Sequence, residues 1–383
     1  MSGSDRFVTP KLVIQDGPRL SFPNQNCSRY FAWTRERRFM KKRIIASVAA
    51  FAIAALGFSA APASAATEDS CGTATGFCVG LVTDVGKVDD KSFNQSAWEG
   101  AKTAAKSLNG FSKYIETQDP KDYASNIGLF ADAGYNVIVT VGFLMADATA
   151  AAAEMYPDVK FIGVDQYNAS TATNYTGLGF PEDKAGFIVG YLGGYLTKTG
   201  KTAAIAGGPS SIPPVRKFIE GFAAGVAYAA KEQKKKFPKS STVYYTGANA
   251  FNDPAWGAST AAQYLSQGYD VIFAAGGKTG NGGLARVAKK KGAYCIGVDT
   301  DQWTTVPEAQ KCLVTSAMKN IPAGVQALIK TVKSDKFPGG NYLGTVGAAP
   351  YHAFATKISK SIQGKVKAMT VRVLKGSVKT GVK

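Results

Sequence analysis

Two doubly wound α/β lobes joined by crossing segments are the architecture that this 383-residue chain predicts, on three observations. From Phe77 onward, short β-branched runs alternate with longer Ala-rich amphipathic segments, the pattern of βα units that build parallel sheets. Four such units precede a stretch without helical pattern, Asn174 to Phe180, and four follow it. Most strand ends run into Gly, Asp or Thr, which is where open α/β sheets place their ligand sites. The length favours two domains over one, and 45% apolar composition is enough for a large core.

In chain order, the apolar run Phe77 to Val82 predicts a first strand, and the amphipathic segment Ser92 to Leu108 predicts the helix after it. The same alternation gives strands at Ser112 to Glu116, Asn136 to Val141 and Val159 to Val164, with helices at Ala124 to Ala133 and Ala146 to Met155 between them. Beyond the first crossing, strands fall at Thr202 to Ala206, Thr242 to Tyr245, Val271 to Ala275 and Ala293 to Val298. Their helices are Lys184 to Leu196, Pro214 to Lys231, Pro254 to Ser266 and Gly282 to Lys290. Leu313 to Met318 and Tyr342 to Ala348 are again extended and supply the second and third crossings. An N-lobe of 77–182 with about 319–345, and a C-lobe of 183–318 with about 346–383, follow from this order. The repeat is architectural, without residue-level self-similarity between the halves. Several crossings between two lobes make a cleft that closes by hinge motion around a ligand.

Met40-Lys41-Lys42-Arg43, the apolar run Ile44 to Ala61 and Ala63-Ser64-Ala65 form the three regions of a secretory signal at 40–65, which would leave a mature tail at 66–76. An uncleaved membrane anchor is the alternative, because the run is about long enough to span a bilayer. Residues 1–39 lack periodicity and read as a disordered extension upstream of a true start at Met40. The first 65 residues hold 10 Lys+Arg and 3 Asp+Glu, so the remainder carries 35 against 24, a net charge of +11. The lysine runs at 231–239 and 289–291 lack interleaved stacking aromatics and read as solvated helix ends, so nucleic acid is not an expected partner.

Four cysteines follow the signal, and their spacing in an exported chain favours bridges between Cys71 and Cys78 and between Cys295 and Cys312. Zinc is disfavoured, with no C-x-x-C and a single histidine, His352, which reads as an ordinary surface or core residue. Thr67-Glu68-Asp69-Ser70 ahead of Cys71 is no lipobox, so a free protein without a lipid anchor is expected, periplasmic or secreted. The Gly-rich run Ala274 to Gly283 fails the phosphate-loop pattern because Ile272 stands where a glycine is needed. No G-x-S-x-G elbow occurs. Asp84, Asp89 and Asp90 lack the frame of a calcium loop, and Asp89 and Asp90 fit better as acids opening the helix near Ser92. No metal or cofactor is expected.

The stretch "TDVGKVDDKSFNQSAWEG", Thr83 to Gly100, resembles the signature of the basic membrane protein family, substrate-binding components of ABC importers that include purine nucleoside receptors. Supporting pieces occur in order: "VGFLMADATAAAAEMYPDVKFIGVDQ" from Val141, "YYTGANAFNDPAWG" from Tyr244, "IFAAGGKTGNGG" from Ile272, "IGVDTDQ" from Ile296 and "TSAMKN" from Thr315. The resemblance covers essentially residues 75–375 and implies a type I periplasmic-binding-protein fold, with Rossmann-like lobes, and no catalysis. It implies a base stacked between Phe93 and Phe251, with Asn94 and Asp165 reading its edge and Asp84 at the first strand end. It further implies that Gly277 offers backbone and that Asp299 and Lys319 hold the ribose. Asp301 competes with Asp299, and Trp256 with Phe251.

Each assignment has a physical basis. Two phenyl faces from opposite lobes desolvate a flat purine and couple binding to closure. Asn offers a donor and an acceptor, while a carboxylate accepts from N–H or spans a cis-diol. The family's implied partners are a purine nucleoside and an inner-membrane ABC permease, with the protein itself a monomer. Riboflavin or a sugar is the alternative ligand, a nucleoside hydrolase the alternative activity and a sensory module the alternative role. Two features depart from the family: Lys87, where a small or apolar residue is common, and the missing lipobox.

Overall fold

The computed structural model describes residues 66–383. The signal at 40–65 and the extension at 1–39 lie outside the described residues. Among those described, two six-stranded sheets organise the chain. The first has the order β11-β5-β4-β3-β1-β2 and holds β1 (Cys78–Thr83), β2 (Phe111–Ile115), β3 (Val137–Val141), β4 (Lys160–Val164), β5 (Tyr175–Gly179) and β11 (Gly340–Leu343). The second has the order β12-β10-β9-β8-β6-β7 and holds β6 (Thr202–Ala206), β7 (Ser241–Tyr244), β8 (Val271–Ala275), β9 (Tyr294–Asp299), β10 (Leu313–Lys319) and β12 (Val346–Ala348). Every pairing is parallel except β10 with β12. Strands β1, β3, β6 and β8 are buried throughout, as apolar runs covered by helices on both faces should be.

The helices are α1 (Phe93–Ser107), α2 (Tyr123–Asp132) and α3 (Ala146–Met155), then α4 (Glu182–Leu196), α5 (Pro213–Glu232), α6 (Pro254–Ser266), α7 (Gly277–Val287) and α8 (Gln302–Thr305), and finally α9 (Ile321–Lys333) and α10 (Lys360–Leu374). The chain leaves the first sheet after β5, returns from β10 of the second sheet into α9, which packs on α1, and crosses again between β11 and β12. Tyr342 to Ala348, expected as one extended segment, is therefore two short strands, one per sheet. Helices α9 and α10 go unpredicted, although Ile321, Val325, Leu328 and Ile329 of α9, and Val366, Met369 and Val373 of α10, recur at helical spacing and are buried. Bridges join Cys71 to Cys78 and Cys295 to Cys312, with Cα atoms 5.6 and 5.1 Å apart, the pairing that the spacing favours.

Glycines set the closest helix contacts. A Cβ on Gly190 would overlap the carbonyl of Phe222, and one on Gly225 the carbonyl of Phe187, so α4 and α5 meet backbone to backbone. The same device corrects the start of α7. Its glycines read as loop in the sequence, yet the helix begins at Gly277, five residues earlier than expected, because the bare face lets α6 and α7 touch: a Cβ on Gly282 would strike Pro254, and one on Gly257 would strike Thr279.

Gly190→Ala should therefore cost about 1–3 kcal/mol and lower the melting temperature by several degrees. Gly364→Ala, exposed within α10 and with nothing within 4 Å of the added carbon, should instead stabilise by up to about 1 kcal/mol. Equal melting temperatures for the two variants would contradict the packing account.

Candidate functional site

The C-terminal ends of the central strands of both sheets face one cavity of about 650 Å³, its open mouth included. All eight residues singled out from the sequence line it: Asp84, Phe93, Asn94 and Asp165 from the first lobe, Phe251, Gly277 and Asp299 from the second, and Lys319 at the second crossing. The two competitors lie elsewhere. Trp256 packs edge-on against Tyr245, and Asp301 accepts from Trp303 N–H at the start of α8 and bonds His352 at 2.7 Å. His352 in turn stacks on Trp303 with ring centroids 5.0 Å apart. Lys87 bonds Glu116 and Gln118 at 3.2 and 3.0 Å and does not line the cavity. The apolar wall formed by Leu144, Ile212, Val215 and Phe218 escaped sequence reasoning, because such residues look the same in a core.

Local backbone explains why these side chains converge. Asp165, Phe251 and Asp299 have φ of 61°, 65° and 64°, in the left-handed region that non-glycine residues rarely occupy. Such strain at three cavity residues persists only where surrounding structure enforces it. At Phe251 the enforcement is visible: its N–H donates to Gly207 O at 2.7 Å, its carbonyl accepts from Thr279 N–H at 3.3 Å, and its ring lies where a Cβ on Gly208 would be. Asp165 directly follows β4 and Asp299 ends β9, in the matching sequences "FIGVD" and "CIGVD", at equivalent places in the two sheets. Residue-level similarity between the halves therefore exists, confined to strand ends.

The opening acids of α1 divide their work. Asp90 is buried and accepts from the N–H groups of Ser92, Asn94 and Gln95 at 2.9, 2.9 and 3.2 Å, which holds the first helical turn and with it Phe93 and Asn94. Asp89 does not cap the helix; it is exposed and pairs with Lys278 of α7 across the mouth at 2.7 Å. Around it the two lobes clasp directly. Asn281 donates to Asp90 O at 2.8 Å, Thr305 and Gln302 donate to Lys91 O at 2.8 and 3.4 Å, and Ser92 Oγ donates to Asp299 at 2.8 Å.

Charge in the cavity is lopsided. Lys319, 2% exposed, pairs with Asp165 and, at 3.2 Å, with Glu182, and its ammonium lies 5.1–5.4 Å from the ring centres of Phe93, Phe180 and Phe218. Burial opposes its charge, but Asp165, Glu182 and Asp299 outweigh that and raise its pKa. Burial pushes Asp84 up to about 7, helped by Asp90 and Asp165 and opposed by the Gly86 N–H. It likewise pushes Asp90 and Asp299 up to about 6 and Glu182 up to about 7, and at Asp165 it outweighs the attraction of Lys319. Two buried acceptors, Asn94 Oδ1 and Asp165 Oδ1, have no protein partner. Buried polar atoms normally have one, so a cavity that leaves two unpaired is shaped for hydrogen-bond donors from a ligand.

Raised carboxylate pKa values stabilise the folded state fully below the unfolded value near 4, and that contribution is lost as pH rises through about 6 to 7. The ligand-free protein should therefore melt at a lower temperature at pH 7.5 than at pH 5. Asp84→Asn should flatten that dependence and melt higher than the parent at pH 7.5. Parallel melting curves for parent and variant across this range would contradict the assignment.

Residues 77–345 match a family described as ABC transporter substrate-binding protein PnrA-like. A protein of Listeria innocua named CD4+ T-cell-stimulating antigen is 30% identical over 89% of this chain and 99% of its own length. An ABC transporter nucleoside-binding protein BmpA of Lactococcus lactis is 31% identical over 79% of this chain and 88% of its own. Among solved structures, an ABC transporter solute-binding protein from Aeropyrum pernix aligns with a TM-score of 0.70 at 24% identity, covering 79% of this chain and 92% of that one. Another from Conexibacter woesei gives 0.59 at 20% identity, covering 79% and 98%. These structures establish the fold as two α/β lobes of the type I periplasmic-binding kind. With the family match spanning residues 77–345 and relatives at 30–31% identity along most of their length, the chain belongs to the PnrA-like family of ABC transporter substrate-binding proteins, which is the basic membrane protein family that its Thr83–Gly100 stretch resembles.

Proposed function

We propose that this protein is the extracytoplasmic receptor of an ABC importer, that it closes its lobes over a purine nucleoside, and that it hands the nucleoside to a membrane permease without chemical change. The observation that carries the reading is the pair of aromatic rings offered by opposite lobes, Phe93 and Phe251, beside unpartnered acceptors on Asn94 and Asp165. A flat base between the rings exchanges water for two apolar faces, while its N–H groups supply the donors that the acceptors lack. Asp299, already accepting from the Ser92 hydroxyl, suits a ribose hydroxyl in the same role. The name of the Lactococcus relative supports the nucleoside part.

Work outside the cytoplasm rests on the signal pattern at 40–65 and on the two disulfides. No helix among the described residues is long and apolar enough to cross a membrane. The bridge between Cys71 and Cys78 occupies the thiol that a lipid anchor at Cys71 would need, which supports a chain free of lipid at that residue.

Calorimetry of ligand-stripped protein with adenosine, guanosine and inosine tests the ligand. Binding of at least one, with the nucleoside recovered intact after prolonged incubation, is the expected result. If all three fail and riboflavin or a sugar binds, the purine claim is wrong though the fold stands. Phe93→Ala and Phe251→Ala should each weaken binding by roughly one to two decades, or about 1–3 kcal/mol, in variants that still unfold cooperatively. Thr305→Val, which removes the clasp bond to Lys91 O and does not line the cavity, should weaken binding mainly through faster dissociation; a purely slower association would count against the clasp.

A further inference from the structure

The second lobe carries a feature that ligand capture leaves unused. Parallel pairing places the starts of β6, β7, β8, β9 and β10 along one edge of the sheet, opposite the edge that forms the cavity. The segments leading into that edge are 197–201, 231–240, 267–270, 289–293 and 307–312, and they hold eleven lysines against three carboxylates. Lys198 and Lys201 precede β6, five more lysines fall at 231–239 ahead of β7, three at 289–291 ahead of β9, and Lys311 precedes β10. Runs that are separate in sequence are thus neighbours in space, and all eleven lysines are exposed.

None of the eleven pairs with a carboxylate among the described residues. Two of the three carboxylates are engaged elsewhere: Glu232 by Tyr191, Tyr195 and Lys365, and Asp270 by Thr197 and the N–H groups of Lys198 and Thr199. The corresponding pole of the first lobe, at 66–77, 108–110, 133–136, 156–159, 172–174 and 334–339, holds four acids and one lysine. The strand-start poles of the two lobes thus differ in sign, with eight excess positive charges at that of the second lobe. A field of this kind draws the protein to a negative surface in one orientation.

We propose that this pole of the second lobe docks on a bilayer containing anionic phospholipid, by electrostatics and without insertion. The aromatic residues there favour lipid over nucleic acid. Phe237 lies beneath Lys235 and Tyr269 beneath Lys201, each ammonium 5.9 Å from the ring centre, so neither ring stands free as a platform for bases. The lysines project as a set of solvated point charges, which matches a plane of phosphate headgroups. Docking at the strand-start edge leaves the ligand cavity, at the other edge of the same sheet, clear of the membrane.

The test is co-sedimentation of residues 66–383, which contain both sheets and both disulfides, with vesicles of phosphatidylcholine alone or with about a quarter phosphatidylglycerol. Binding should require the anionic lipid and fall at least about ten-fold between roughly 0.05 and 0.5 M salt. Combined Lys234→Glu, Lys235→Glu and Lys236→Glu should weaken it at least about ten-fold, with the melting temperature unchanged, while Lys102→Glu with Lys106→Glu on α1 should leave it intact. Equal binding to neutral vesicles, no binding at low salt, or equal loss from the α1 pair would overturn the proposal. So would tighter binding to duplex DNA at matched phosphate concentration. Every readout is independent of the identity of the small-molecule ligand.

Discussion

One buried ammonium holds the cleft together. Lys319 ends the strand that leads from the second sheet back into the first lobe, and the carboxylates nearest it come from the end of β4 and the first turn of α4. An isolated charge at such depth would cost several kcal/mol, so the ammonium obliges at least one carboxylate to sit beside it and thereby ties two crossings to one point. Three aromatic rings shield the pair from water and raise its electrostatic stakes. With several carboxylates to a single cation, the cavity keeps surplus acceptors. Its appetite for donors is thus a result of how the crossings are fastened.

Around that knot the rest of the design is spacing. Helices α4 and α5, and α6 and α7, pack closely because they meet at glycines, and the strand ends can reach one another because Gly142, Gly207 and Gly276 leave no side chains in the way. Gly142 illustrates the fit: a Cβ there would overlap the Asp84 carboxylate. Direct contacts from α7 and α8 to residues 89–91 then bridge the two lobes beside the mouth, so that part of the closing free energy does not depend on what is bound.

Most of the fold was legible because burial on both faces writes parallel strands as continuous apolar runs, and Val271–Ala275 and Thr202–Ala206 match their predicted limits. What escaped notice did so for identifiable reasons. The first turn of α7 hid behind glycines that serve packing, and α9 followed a crossing where the alternation had already broken. In the site, polar residues at strand ends were readable because charge there is conspicuous, and the Thr83–Gly100 resemblance pointed to Phe93 and Asn94. Leu144, Ile212 and Val215 were not readable, since nothing in an apolar residue tells a core from a cavity wall. The charge run at 231–239 was visible, but only the parallel topology reveals that four other segments share its edge.

The left-handed backbone at Asp165, Phe251 and Asp299 has a consequence for how such a receptor diversifies. Few residues besides Gly, Asn and Asp accept that conformation cheaply, so at Asp165 and Asp299 the menu of replacements is short whatever the ligand demands. Leu144 and Val215, on ordinary backbone, carry no such restriction. Lineages that shift to new cargo would thus keep a nearly fixed polar frame and explore shape along the apolar wall, an asymmetry written into main-chain torsions rather than into ligand chemistry.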